Sequence, residues 1–169
     1  MIILIIFTVD SAISTWSSIY LKDVLASSAT VAPLGYAAYQ IGILLTRLGL
    51  DYLLQFKTAP WVALVTLLIG AFGCVLSGVS HSLVTVILGF ALAGVAVGAL
   101  VPLTYSAVGR LDETRRDEII ARVNIFNYGG AVAGAVMVGL LAGPFGYAPS
   151  FIGLAFALLS IVYLRKRLL

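Results

Sequence analysis

Charge is what this sequence has least of. Only 10% of its 169 residues are Asp, Glu, Lys or Arg, where a soluble domain carries about 25%. Set beside 62% hydrophobic residues and a mean hydropathy of +1.12, that scarcity excludes an ordinary water-soluble globule. Histidine and cysteine are almost missing as well. His81 and Cys74 each stand alone, so no intrachain disulfide can form and no zinc-type ligand spacing exists. Cys74 lies in an apolar run and reads as an inert, buried thiol. There is neither a Gly-rich phosphate loop nor a Ser/His/Asp set, so the chain is not read as an enzyme and no cofactor or metal is expected. The opening stretch MIILIIFTVDSAISTW has no basic n-region and contains Asp10, which argues against a secretory signal peptide. A net charge of +3 would point a soluble protein toward acidic partners. Here the basic residues report orientation instead, and no nucleic-acid binding is read from them.

What is present is a series of apolar segments long enough to cross a bilayer. Six can be marked, at about 2–20, 33–53, 60–78, 83–105, 119–141 and 149–164, each near the roughly 20 residues that a helix needs to span the hydrocarbon core. Pro33, Pro60 and Pro149 stand at segment starts, where a missing N–H costs nothing because the first turn has no acceptor for it. The sequence therefore predicts an all-α membrane protein, one bundle of six transmembrane helices. Three alternate links, Lys22 to Thr30, Ser77 to Ser82 and the Gly-Pro-Gly turn of Gly143 to Tyr147, are nearly free of basic residues. The other side carries Arg47 and Lys57, then Arg110, Arg115, Arg116 and Arg122, then Arg165, Lys166 and Arg167. That is nine of the ten basic residues. By the positive-inside rule both termini are expected in the cytoplasm.

Polar residues inside the spans are few and therefore informative, because lipid cannot satisfy them. Asp10 is the one acid deep within an apolar span, about 15 Å along the first helix at 1.5 Å per residue. There it must pair, reach water or hold its proton. Ser14 and Ser17 extend its stripe at spacings of four and three, while Trp16 and Tyr20 read as sitting toward the outer interface. In the second segment Tyr36, Tyr39, Gln40, Ile43 and Arg47 recur at threes and fours, one stripe of phenols, an amide and a guanidinium. Asn124, Asn127 and Tyr128 form a third cluster, one turn into the fifth segment. Each cluster has two readings: contact with a solute in a wet cavity, or hydrogen bonding between helices. Trp61 and His81 read as interfacial, each with an apolar body and a wet tip.

Glycines recur at helical spacing. Gly94, Gly98 and Pro102 share a face of the fourth segment, and Gly130 with Gly134 and Gly139 with Gly143 do so in the fifth. Such spacing lets backbones approach closely. Packing alone would account for it; the sharper reading is a gate, with Pro102 removing one backbone hydrogen bond near the cytoplasmic end. The run GRLDETRRDE, Gly109 to Glu118, reads as a solvated loop.

Three runs, DSAISTWSSIYLKDVL, GYAAYQIGILLTRLGLDYL and VPLTYSAVGR, together resemble the C-terminal six-helix half of a major facilitator superfamily permease, and within it the bacterial fucose-permease-like branch. The resemblance covers essentially the whole chain. It implies two inverted three-helix repeats, with a solute held near the midplane between two halves. It also implies a charged turn between the second and third helices, onto which Arg47 and Asp51 fall as cytoplasmic gate residues. Tyr52 departs from that pattern, which has an arginine after the aspartate. The branch commonly has an acid in the first helix of this half, and Asp10 matches it by position before Trp16. The expectation is a bacterial inner-membrane protein that moves a small, sugar-like solute as half of a secondary transporter, with proton coupling through Asp10. Its partners would be the lipid bilayer, the solute, and either an N-terminal six-helix half or a second copy. A drug/proton exporter half and a membrane interaction module that does not transport are the alternatives.

Overall fold

The computed structural model describes residues 1–110 and 116–165; the loop expected at Leu111 to Arg115 and the basic residues Lys166 and Arg167 lie outside the described residues. Six helices follow one another: α1 Ile2–Asp23, α2 Leu34–Phe56, α3 Ala59–Val79, α4 Leu83–Gly109, α5 Arg116–Phe145 and α6 Tyr147–Arg165. All but α2 are long and apolar enough to cross a membrane. α2 falls short in hydropathy because it spends positions on Tyr36, Tyr39, Gln40, Arg47 and Asp51, although its 23 residues give it the length. The architecture is an all-α membrane fold.

Most helices outrun the apolar segments that announce them, by one to four residues at an end, since a helix stops at a cap or a breaker and not at the edge of the hydrocarbon. Pro33 is the N-cap of α2, Pro60 lies in the first turn of α3, and Pro149 is the third residue of α6. The link expected at Gly143 to Tyr147 is much shorter than its composition suggests. α5 continues through Pro144 to Phe145, and the chain reverses on Gly146 alone. Gly146 takes a left-handed φ of 78° and its N–H donates to Ala142 O at 3.0 Å. Pro144 is tolerated there because its absent N–H forfeits one bond in the last turn.

Packing rests on close backbone approach at Gly94, Gly98, Gly130 and Gly134, as the glycine spacing suggested, but not at Gly143, where nothing lies within 4 Å of a Cβ. α4 occupies the middle of the bundle and touches α1, α2, α3 and α5, while α6 closes over α1, α3 and α5. Two crossings set the geometry of the polar residues. In the first, α2 and α4 dovetail: Gly42 lies against the Ala91 carbonyl, Gly94 against the Tyr39 carbonyl and Gly98 against the Ile43 carbonyl. In the second, α5 docks on α1 with Gly130 against the Leu4 carbonyl and Gly134 against that of Thr8. A Cβ at these glycines would run into backbone, so the helices could not keep this separation.

Opposite the basic end of the bundle, Trp16 and Tyr20 of α1, Phe90 of α4, and Tyr147 and Phe151 of α6 form a continuous ring cluster with centroid spacings of 5.1 to 6.3 Å. Rings at these tilted and edge-on angles attract one another beyond their buried area. Tyr20 is buried within it, not spread on an interface. Cys74 is buried in the core.

Candidate functional site

Asp10 and Tyr39 meet between α1 and α2. The Tyr39 hydroxyl donates to Asp10 Oδ1 at 2.7 Å, a charge-assisted bond if the acid is ionised. Tyr39 is wholly enclosed while Asp10 is half-buried. The α2–α4 dovetail explains the inward turn: Tyr39 is held through its own carbonyl against Gly94, which aims its ring into the bundle. The stripe on α2 accordingly splits. At about 100° per residue, Tyr39 stands some 60° to one side of Tyr36. Tyr36, Gln40 and Arg47 remain exposed on the adjoining face, with Ile43 partly covered. Gln40 Nε2 donates to the Tyr36 hydroxyl at 2.9 Å, which presents a phenol and an amide side by side.

The rest of the α1 stripe goes inward. Ser14 is half-buried, and Ser17 is fully buried with no hydrogen-bond partner for its Oγ among the described residues. Ser17 is thus a packing residue in this conformation and does not line an open cavity. On α5, Asn124 Oδ1 accepts from the Tyr105 hydroxyl of α4 at 2.8 Å. Asn127 is partly buried and Tyr128 is 73% exposed, so the third cluster is divided between a helix tie and an open face. Arg47 and Asp51 are both exposed on α2, and no ion pair joins them among the described residues. Pro102 is partly buried inside α4, one turn before Tyr105, and it leaves the Gly98 carbonyl without its amide partner in the helix. Arg122 pairs with Glu118 across one turn of α5, at the surface.

Two contacts escaped the reading of the sequence. Tyr105 ties α4 to α5, and its signal was the need of an intramembrane amide such as Asn124 for a partner. Trp16 donates its indole N–H to Ala135 O at 2.9 Å and lies over Gly139, so it fastens α1 to α5. The side-chain bonds Asp10–Tyr39 and Tyr105–Asn124 have a common property: each joins the α1–α5 pair to the α2–α4 pair. No cluster of three or more metal-ligating side chains occurs among the described residues.

Six closely packed helices, with side-chain pairs joining α1 to α2 and α4 to α5, define a polytopic integral membrane protein. The chain belongs to the Major Facilitator Superfamily, whose profile it matches over residues 1–167. It is 33% identical over 127 residues to an uncharacterized transporter of Sinorhizobium fredii, a match covering 75% of this chain and 34% of that protein. An uncharacterized MFS-type transporter of Yersinia pestis is 26% identical over 138 residues, covering 82% of this chain and 36% of the relative. Membrane protein MosC of Rhizobium meliloti is 25% identical over 153 residues, 90% of this chain and 36% of its own length. The chain thus spans about a third of the length of these relatives. Family and relatives point to a transporter and away from an enzyme.

Proposed function

We propose that the chain is the C-terminal six-helix half of a secondary active transporter in the bacterial inner membrane, of the fucose-permease-like branch. In this reading it forms one wall of the path for a small, sugar-like organic solute, and the other wall comes from an N-terminal half or a second copy. The observation that carries it is the Asp10–Tyr39 bond. It sets the deep carboxyl of α1, half-buried, at the junction of two helix pairs. A carboxyl there can take up a proton and release its hold on Tyr39, so protonation and the relation of the two pairs would be linked. The exposed Tyr36–Gln40 pair suits a polyol, which stacks on a ring and hydrogen-bonds an amide. Arg47, Asp51 and Pro102 would shape the gate at the basic end, which is cytoplasmic in this reading, as are both termini. Cysteines introduced at Ser28 or His81 in a Cys74→Ala background should then react with an impermeant outside reagent, and one at Thr114 should not; the reverse pattern would invert the topology.

Asp10→Asn in the complete transporter tests the coupling role. The amide resembles a protonated acid that cannot discharge, so proton-driven accumulation should be lost while solute exchange persists. Undiminished accumulation would reduce Asp10 to a helix tie.

A further inference from the structure

At the basic end of the bundle an apolar cavity of about 130 Å³ lies between the starts of α1 and α3 and the ends of α4 and α6. Leu64, Leu67, Leu103 and Ile161 supply its walls, and it includes none of the polar residues of the Asp10 site. Thr104 is the one side chain on its surface with a hydroxyl, and that hydroxyl already donates to Leu100 O at 2.6 Å. The cavity is therefore no place for ordered water, which needs two to four polar partners, nor for a polyol.

Its mouth is different. Ala59 and Ala107 are the exposed lining residues, with Lys57 two positions before the first and Arg110 three positions after the second, both exposed. Trp61, two residues after Ala59 and so at the depth of the mouth, is 46% exposed, with the Lys57 ammonium 5.1 Å from its ring centroid. An amphipathic ring paired with a snorkelling lysine marks the level of the lipid headgroups. An apolar throat that opens at this level under a basic rim matches one kind of molecule, an apolar chain carrying an anionic head.

We propose that the cavity binds an acyl chain of an anionic phospholipid, with the phosphate at the rim formed by Lys57 and Arg110. The apolar walls alone would accept any lipid chain, because lipid tails are as apolar as leucine. Selection rests on the rim.

The test uses the purified full chain in mild detergent, titrated with phosphatidylglycerol or phosphatidylcholine, with bound lipid counted by native mass spectrometry. Phosphatidylglycerol should bind at least about fivefold more tightly, and Lys57→Gln should weaken it by about fivefold, the scale of one basic residue at an anionic surface. Ala63→Phe, which fills the throat from α3, should abolish saturable binding. The double variant Lys57→Gln with Arg110→Gln changes only exposed positions and keeps the test open if Ala63→Phe does not fold; it should bind the two lipids alike. Equal affinity of the wild-type chain for both lipids would overturn the proposal. So would unchanged phosphatidylglycerol binding in Ala63→Phe, or full displacement by glycerol 3-phosphate, which has the head and no tail.

Discussion

The α2–α4 and α1–α5 crossings solve one problem in two ways. In α2–α4 both helices give up side chains, Gly42 on one and Gly94 with Gly98 on the other, and each presses on the backbone of its partner. In α1–α5 the sacrifice is one-sided. α1 contains no glycine, and Gly130, Gly134 and Gly139 of α5 make all the room. The difference follows from what α1 has to carry. A helix that presents Asp10 to its neighbour and threads Trp16 into a ring cluster keeps its side chains, so the partner must be thin. Trp16 then adds to this crossing an indole bond to Ala135 O, for which α2–α4 shows no counterpart among the described residues.

This contrast can be broken first at the glycines. Gly94→Leu and Gly134→Leu should each destroy the folded bundle. Overpacking costs about 1–3 kcal/mol where side chains can yield, and at both positions the obstacle is a backbone carbonyl. Gly49→Leu is the control, since nothing lies within reach of a Cβ there. Fluorescence-detected size-exclusion profiles should show a monodisperse peak for Gly49→Leu alone. A stable Gly134→Leu protein would mean that the one-sided crossing has slack.

A smaller effect separates the two crossings by their side chains. Trp16→Phe removes a hydrogen bond worth about 1 kcal/mol and should lower the midpoint of thermal unfolding in detergent by a few degrees. If it left that midpoint unchanged, the indole would be a passenger and the crossings alike. The smallest effect concerns the ties between the pairs. Tyr105→Phe should cost less than about 1 kcal/mol, because the bond to Asn124 is only partly buried. It should nevertheless raise the reactivity of a cysteine placed at Ala107 toward a soluble maleimide. Unchanged reactivity would deny that this bond holds α4 and α5 together at the basic end.

The sequence was legible where its chemistry is local. Proline at segment starts, the spacing of Gly94 with Gly98 and of Gly130 with Gly134, and the isolation of Asp10 each correspond to a feature of the fold. The rotation of each helix about its axis was not legible. In water the apolar face of a helix points to the core; in a bilayer both sides of a helix are apolar, so hydropathy cannot say which leucine meets protein. Leu44, Leu45 and Leu48 are exposed and Leu67 is buried, with nothing in their side chains to tell them apart. For the same reason helical spacing alone groups Tyr39 with Tyr36 and Gln40, and Ser17 with Asp10. Their orientations are set by glycine grooves on other helices, which are long-range facts. The one-residue link at Gly146 is hidden for a different reason: Gly-Pro composition marks a turn, but Pro144 fits inside a last helical turn as well.

That link at Gly146 has a consequence for how the protein is made. A single residue between two helices of 30 and 19 residues leaves no polar segment that could rest at the far surface while the second helix waits to follow the first. α5 and α6 therefore form one tight hairpin, with the start of the first and the end of the second at the same end of the bundle. Arg116 and Arg122 near the start of α5 and Arg165 at the end of α6 thus count as one topological signal, because neither helix can reverse its direction without carrying the other with it.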